Sequence, residues 1–317
     1  MGRAVRILGT VLALGFLGAL IWRQLPHLPP LALGSPTLWA GLALAWVMYV
    51  LSQLAASEAW RNILTLFGVA LPAGLARGQP MVSQIGKYIP GNVAHLIGRV
   101  AIGRRDGVAV PVLGAAMLIE VGVTLAVGLG VAGLLMLIWP DFIGTLTADL
   151  PDLATRSVPV AIATLLILAI GVGTVLIRAR LRALDSPRPA LRRLTQPLGL
   201  HLASFAILGV SLWGAAWAVD AASAPGLITC TMIFAFAWAA GFVMPGAPGG
   251  IGVRDSIIVL GLALSMGEGT GLAVALLHRA VSVLGDVTTF GLGWWMRKTA
   301  TTPDANNGPK PAVLAPN

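Results

Sequence analysis

Charged and polar side chains surround a Pro-Gly break in the first half of the chain. The candidate ligand-binding residues there are Lys87, Tyr88, Asn92, His95 and Arg99. Pro90-Gly91 ends any preceding helix, and Asn92 can cap a new one, on which Asn92, His95 and Arg99 share one face. A helix N-terminus offers free N–H groups and partial positive charge, so the sequence predicts a site for a phosphate or carboxylate. The alternative is an amphipathic cytoplasmic helix whose cations touch anionic lipid head groups.

A second break, in the other half of the chain, contains two prolines and four glycines. These loop-forming residues are Pro245, Gly246, Pro248, Gly249, Gly250 and Gly252. Glycine permits positive φ and close backbone approach, and Arg254 and Asp255 begin the next helix as further candidate binding residues. No Gly-Lys-Ser/Thr follows, so the stretch is not a phosphate-binding Walker loop. The alternative is an ordinary turn between helices, with Arg254 and Asp255 as a surface pair.

The composition places both breaks in a membrane protein. Of the 317 residues, 57% are hydrophobic and only 10% are charged, against roughly 25% in soluble domains. The net charge of +9 is better explained by the positive-inside rule than by nucleic-acid binding. The single cysteine, Cys230, excludes a disulfide within one chain.

The apolar runs predict an all-α polytopic membrane protein. They cover about residues 7–22, 37–56, 108–139, 158–177, 198–219, 226–243, 256–266 and 271–296. We expect about seven or eight transmembrane helices and one or two re-entrant segments broken by Pro and Gly. The run 108–139 is too long for one straight span, so it tilts, breaks or begins as a buried segment. The run 256–266 is too short to span, and it forms a broken pair with 271–296.

The distribution of charge predicts the domain organisation and the orientation. Most Lys and Arg residues fall in segments that alternation assigns to the cytoplasm, which include both termini. We therefore expect a multi-pass protein of the cell (cytoplasmic) membrane. Residues 1–298 form a single membrane domain, and residues 299–317, rich in Pro, Ala, Thr and Asn, form a disordered tail.

Three charged residues lie inside apolar runs: Glu120, Arg279 and Asp286. Arg279, Ser282 and Asp286 share one helix face. Charges at membrane depth are costly unless they are paired or hydrated, and they mark functional sites by default. The alternative is a structural buried pair, such as Arg279 with Asp286 or with Glu120. His201 and His278 are typical of histidines satisfied by interhelical hydrogen bonds.

The sequence contains none of the familiar catalytic or metal-binding patterns. No His-Glu-x-x-His, no Gly-x-Ser-x-Gly and no ligand cluster with metal spacing occurs. The Gly-x-Gly-Asp of intramembrane aspartyl proteases would need glycine at position 283, which is Val283. We therefore expect no enzyme activity, no cofactor and no metal.

The two breaks together resemble a known family. Lys87-Tyr88-Ile89-Pro90-Gly91-Asn92, followed by Gly98-Arg99, is similar to its Lys-Tyr-x-Pro-Gly…Gly-Arg signature. Residues 248–255 resemble its Pro-Gly-Gly-x-Gly-x-Arg-Glu signature, with Asp255 in place of glutamate. The family is the lysylphosphatidylglycerol synthase transmembrane region, the flippase-like membrane domain of the multiple peptide resistance factor. The resemblance covers about residues 7–298. The synthetase domain of two-domain members is absent from the sequence, so the resemblance implies lipid movement or handling rather than aminoacyl transfer.

These observations lead us to expect a lipid translocase or a lipid-transport component. Its substrate is an anionic or lipid-linked phosphate amphiphile, whose head group enters a polar cavity between the two breaks. Lys87, Arg99 and Arg254 attract the phosphate. The carboxylates that pair with these cations, or carry a coupling proton, are Glu120, Asp255 and Asp286.

The alternative is a non-transporting membrane partner that positions a separate glycosyl- or aminoacyl-transferase. The expected partners are membrane lipids, with such a transferase or a second copy of the chain as further candidates and no nucleic acid. A water-accessible cavity that reaches mid-membrane and is lined by both breaks would favour transport.

Overall fold

The described part of the chain is helical throughout. The computed structural model describes residues 28–88, 93–138, 187–243 and 252–300, together with Trp22, Pro26 and Gly250. Its helices are α1 (Pro36–Leu66), α2 (Ala73–Ser83), a 3₁₀ segment (Gln84–Tyr88), α3 (Ala94–Arg105), α4 (Val110–Ile138), α5 (Pro187–Val219), α6 (Leu227–Val243), α7 (Val253–Met266) and α8 (Glu268–Thr299). No strand occurs in these ranges, which confirms the expected all-α class.

Four helices are long and apolar enough to cross a membrane. The segments are Pro36–Leu66, Val110–Gly133, Thr195–Val219 and Glu268–Thr299, and the apolar α6 is shorter at 17 residues. The chain is therefore a membrane protein. The expected runs 7–22 and 158–177 and the tail segment 301–317 lie outside the described residues. The total of seven or eight spans and the domain limits stay predictions.

The helix boundaries refine several expectations. The run 108–139 forms one continuous helix over Val110–Ile138. The predicted alternative of a break within this run is therefore wrong. At about 43 Å, this helix exceeds a ~30 Å hydrocarbon core. The short run 256–266 is the greater part of α7, which ends at Met266, and Gly267 separates it from α8. Gly267 has φ +78°, a left-handed conformation that glycine adopts without strain, so the broken pair is confirmed.

Small residues bring α1 and α5 into close contact. Gly41 faces Gly214 and Ala218 across the two helices. Close backbone approach is typical of membrane helix pairs. In lipid the hydrophobic effect does not drive helices together, so their association depends on van der Waals packing. The Ser211 hydroxyl donates to the Ala45 carbonyl at 2.7 Å. Helix α2 packs against α1 and α6 packs against α5, whereas α3 packs on α2 and α4, and α7 packs on α6 and α8.

The elements around the first break are too short to span. Helices α2 and α3 have 11 and 12 residues, which corresponds to about 17–18 Å. Polar contacts hold them to the long helices. Arg297 of α8 binds the Asp106 carboxylate through two bonds of 2.7 and 2.8 Å, and Gln79 donates to the same carboxylate at 2.8 Å. Gln79 also accepts the Trp60 indole N–H at 3.0 Å.

The α1–α5 contact yields a stability prediction. A Cβ added at Gly41 would lie 2.6 Å from the Gly214 carbonyl oxygen. Because a backbone atom cannot yield cheaply, Gly41→Ala should lower the free energy of unfolding by about 1–3 kcal/mol. Thermal unfolding of the purified protein in detergent checks this. The matched control is Gly114→Ala in α4, where an added Cβ meets nothing within 4 Å. Equal melting temperatures for the two variants would contradict the packing described.

Candidate functional site

One cavity is lined by residues that flank both Pro-Gly breaks. It has a volume of about 200 Å³. The first break contributes Lys87, His95 and Arg99, and the second contributes Gly250 and Arg254. Its other polar walls come from α1, α2, the 3₁₀ segment, α4 and α5: Tyr49, Gln53, Ser57, Gln84, Glu120, Thr124, His201 and Ser204. The predicted binding cations therefore meet around a single space.

Several predicted residues fall outside the described ranges. These are Pro90, Gly91, Asn92, Pro245, Gly246, Pro248 and Gly249. The rest of the second break shows why glycine is needed. Gly250 and Gly252 have φ of +72° and +90°, conformations that other residues adopt only with strain. Gly252 then begins α7, and its N–H donates to Asp255 at 3.3 Å.

Lys87 is tied to a fully buried carboxylate on α8. Its ammonium lies 2.7 Å from Oδ2 of Asp286, whose side chain is 0% exposed. Tyr49 of α1 donates to Oδ1 at 3.0 Å, and Tyr88 donates to Oδ2 at 2.5 Å. These are the only two tyrosines in the chain. Lys87 lines the cavity, whereas Tyr88 and Asp286 lie behind it. Three elements are therefore joined at one carboxylate.

Arg99 forms the second charged contact of the cavity. Its guanidinium pairs with the Glu120 carboxylate of α4 and stacks over the Trp60 ring, 5.0 Å from the centroid. The Thr124 hydroxyl lies 3.4 Å from the His201 ring nitrogens on the same wall. Both partners of the ion pair line the cavity, so a ligand that enters can reach the cation and the carboxylate.

His95 adds a neutral polar group to the cavity wall. It lies on α3, which is too short to span, and burial together with the nearby charges of Arg99 and Lys87 lowers its pKa to about 4. The imidazole is therefore uncharged near neutral pH. Its buried Nδ1 has no hydrogen-bond partner among the described residues. This atom is available to a ligand or to water.

The second break supplies a cation with incomplete pairing. Arg254 is 6% exposed, and its Nε lies 3.8 Å from Oδ1 of Asp255. Asp255 is engaged elsewhere, because Arg279 binds its Oδ2 at 2.7 Å. Arg254 has a long contact of 3.4 Å to the Ser282 hydroxyl and lies over the Phe234 ring. Within the described residues, its Nε has no hydrogen-bond partner.

Asp286, Glu120 and Asp255 lie beside Lys87, Arg99 and Arg254, as the sequence predicted, whereas the alternative pairing of Arg279 is wrong. Arg279 pairs with Asp255, not with Asp286 or Glu120. Asp255 does not line the cavity; it caps α7 and holds Arg279. Its contacts position Arg254 rather than meet a ligand.

Cations exceed carboxylates in this cluster. The four cations are Lys87, Arg99, Arg254 and Arg279, and the three carboxylates are Glu120, Asp255 and Asp286. Among these seven described side chains, one positive charge is therefore in excess. The undescribed segments 89–92 and 244–249 contain no ionisable side chain in the sequence. The excess falls on Arg254, the cation with the weakest pairing.

Tyr49, Gln53 and Gln84 are cavity residues that sequence reasoning missed. Gln53 is a lone amide within an apolar run, which is a weak signal of a polar cavity. His201, expected only to bond between helices, also lines the cavity. His278 does lie 3.1 Å from the Ser211 hydroxyl of another helix, which is the interhelical contact expected of it.

Comparisons with known proteins leave the family open. No protein-family model and no curated protein sequence matches the chain. The resemblance to the lysylphosphatidylglycerol synthase transmembrane region therefore stays a prediction. Over the described ranges, no group of three or more His, Cys, Asp or Glu side chains could hold a metal ion.

The Lys87–Asp286 pair yields a second stability prediction. Lys87→Met leaves the buried carboxylate without its cation, and loss of one partner of a buried pair costs about 3–5 kcal/mol. The double variant Lys87→Met/Asp286→Asn removes both charges and should recover most of that loss. Chemical unfolding in detergent measures both, with Lys298→Met at the exposed end of α8 as the matched control. A double variant no more stable than the single one would contradict the pairing.

Proposed function

We propose that the protein is an integral membrane lipid translocase, or a lipid-transport component, for an anionic or lipid-linked phosphate amphiphile. The observation that carries the proposal is the single cavity on which Lys87, Arg99 and Arg254 converge from both Pro-Gly breaks. The cluster around it retains one positive charge in excess in the described part of the chain. An anionic head group would give the cation that carries this charge a partner.

Electrostatics favour a phosphate as the occupant. A cation removed from water costs several kcal/mol unless it is paired, and Arg254 has only a distant, shared carboxylate. A phosphate oxygen can accept from the guanidinium of Arg254 and from the ammonium of Lys87. Arginine suits this task because its planar fork of donors matches phosphate geometry. His95, which is neutral, can hydrogen-bond to a head group without adding charge.

The size of the cavity limits what enters it. A buried water needs roughly 10–15 Å³ of cavity volume. A cavity of about 200 Å³ therefore holds a small head group and some water. In this proposal the head group occupies the polar space while the apolar tails stay in the bilayer.

Exchange of ion pairs would let the head group enter and leave. In the empty cavity, Glu120 holds Arg99 and Asp286 holds Lys87. An entering phosphate replaces these carboxylates as the partner of each cation, and the carboxylates recapture the cations when it leaves. Lys87 and Arg99 therefore keep an anionic partner in the low-dielectric interior at every stage. A non-transporting partner protein would not require such an exchangeable set.

We propose the cytoplasmic membrane as the location, with both termini in the cytoplasm. The contact of Arg297 with Asp106 supports this orientation. It brings the end of α8, with Arg297 and Lys298, beside the end of α3, with Arg104 and Arg105. A shared basic end is typical of the cytoplasmic side.

Loss of a cavity cation should slow lipid movement. In liposomes with labelled phosphatidylglycerol, Arg254→Gln and Arg99→Gln should each reduce leaflet exchange by at least about tenfold, because loss of one buried charged contact costs roughly 2–5 kcal/mol. The matched control is Arg104→Gln, which lies on the same helix as Arg99 with an exposed side chain and should exchange lipid at the wild-type rate.

The folded state of each variant is checked by its melting temperature and its elution profile in detergent. Wild-type exchange rates in well-folded Arg254→Gln and Arg99→Gln would contradict the proposed function. The proposed function would also be contradicted if liposomes with wild-type protein exchanged every anionic lipid tested no faster than liposomes without protein.

A further inference from the structure

The three carboxylates of the cluster differ in the groups that can still stabilise their charge when a phosphate binds the neighbouring cation. Glu120 lines the cavity, and its side chain is 13% exposed, so entering water can keep it ionised. Asp255 does not depend on a cavity cation, because Arg279 and the Gly252 N–H bind it from behind. Asp286 is 0% exposed and lies outside the cavity.

The ionised form of Asp286 depends on Lys87 more than the ionised forms of Glu120 and Asp255 depend on a cavity cation. Its other partners are the hydroxyls of Tyr49 and Tyr88. Two neutral donors do not offset the cost of burying an isolated carboxylate. Without Lys87, the protonated carboxyl group therefore has a lower free energy than the carboxylate. A protonated Asp286 can still accept from one tyrosine and can donate its own proton to the other. The pocket therefore accommodates both protonation states.

We propose that Asp286 takes up a proton when a phosphate head group captures Lys87, so that lipid binding is coupled to proton binding. The inference rests on the proposed function and names its coupling ion. The proton passes from water to an Asp286 oxygen, and the Lys87 ammonium moves from Asp286 to the phosphate. One negative charge replaces another as the partner of Lys87, and the proton on Asp286 offsets the charge of a monoanionic phosphate, so the net charge of the cluster does not change.

The other charges near Asp286 do not replace this role. The 3₁₀ segment contributes Lys87 and Tyr88, and α1 contributes Tyr49. Arg254 of α7 and Arg279 of α8 itself act on Lys87 at longer range, and Arg279 is held by Asp255. Across the described ranges, neither α2 nor α5 places an ionisable side chain in hydrogen-bond contact with Asp286.

The sign of the pH dependence follows from linkage. In the empty state Asp286 is ionised beside Lys87, and in the occupied state it is protonated, so the occupied state holds the extra proton. Binding therefore tightens as the pH falls, by at most about tenfold per pH unit, because one proton is taken up with each bound lipid.

Proton uptake can be measured directly with purified protein. Dihexanoyl phosphatidylglycerol is a suitable probe, because its phosphodiester does not titrate near neutral pH. The probe is added to protein in weakly buffered detergent solution that contains a pH-indicator dye, and binding is followed separately by calorimetry. We expect wild-type protein to take up about one proton per bound lipid. Asp286→Asn should bind the probe with no uptake and with an affinity that does not change between pH 6 and pH 7.

Glu120→Gln is the matched control, since it neutralises the carboxylate that faces the cavity. Its affinity for the probe can change, but it should still take up about one proton per bound lipid. If Asp286→Asn does not fold, Lys87→Gln/Asp286→Asn replaces it, because both charges of the pair are then removed. That variant should bind the probe more weakly and take up no proton.

The outcomes separate the two proposals. Wild-type protein that binds the probe without proton uptake overturns the coupling and leaves the proposed function standing. Uptake that persists in both Asp286 variants, or that is lost in Glu120→Gln alone, also overturns the assignment to Asp286. Failure of wild-type protein to bind this probe and other short-chain anionic lipids contradicts the proposed function, and the coupling with it.

Discussion

The cost of burying charge is the constraint on which the rest of this structure depends. Each cation around the cavity has been removed from water, and each is retained because a carboxylate or an aromatic face lies beside it. Lys87 has Asp286, Arg99 has Glu120 and Trp60, and Arg279 has Asp255. Arg254 has only a share of Asp255. That imbalance is a reason for an anion to enter the cavity, and the exchangeable pairs are a reason that it can leave.

The helices are arranged so that these charges meet. Helices α1 and α5 form a close pair, α2 packs against α1 and α8, α3 packs on α2 and α4, and α7 packs on α6 and α8. The Asp106 contact with Arg297 and Gln79 holds the first break from one end. The Asp286 contact with Lys87 and Tyr49 holds it from the other. Gly252 and Gly267 permit the turns on either side of α7, because only a residue without a Cβ adopts those conformations cheaply.

The sequence predicted the helices better than it predicted which charged side chains form ion pairs. Length and hydropathy placed the run 226–243 within one residue of Leu227–Val243, because a continuous apolar run ended by Gly and Pro has few other solutions in a membrane. The cations beside the breaks were visible as charges in an apolar chain. Their carboxylates were not assigned, since Lys87 and Asp286 are 199 residues apart and only tertiary packing decides the match. Tyr49 and Gln53 were missed for a related reason, because the spacing within α1 does not reveal which face meets the cavity.

The central claim is that the flanks of both breaks hold one phosphate between them. The most direct measurement is an electron cryo-microscopy structure of the protein in nanodiscs that contain phosphatidylglycerol. We predict head-group density in contact with Lys87, Arg99 and Arg254 together, with the acyl chains extending into the bilayer. Two breaks that lie apart, or a cavity that contains only water while lipid phosphates bind at the outer surface of the helices, would contradict the account.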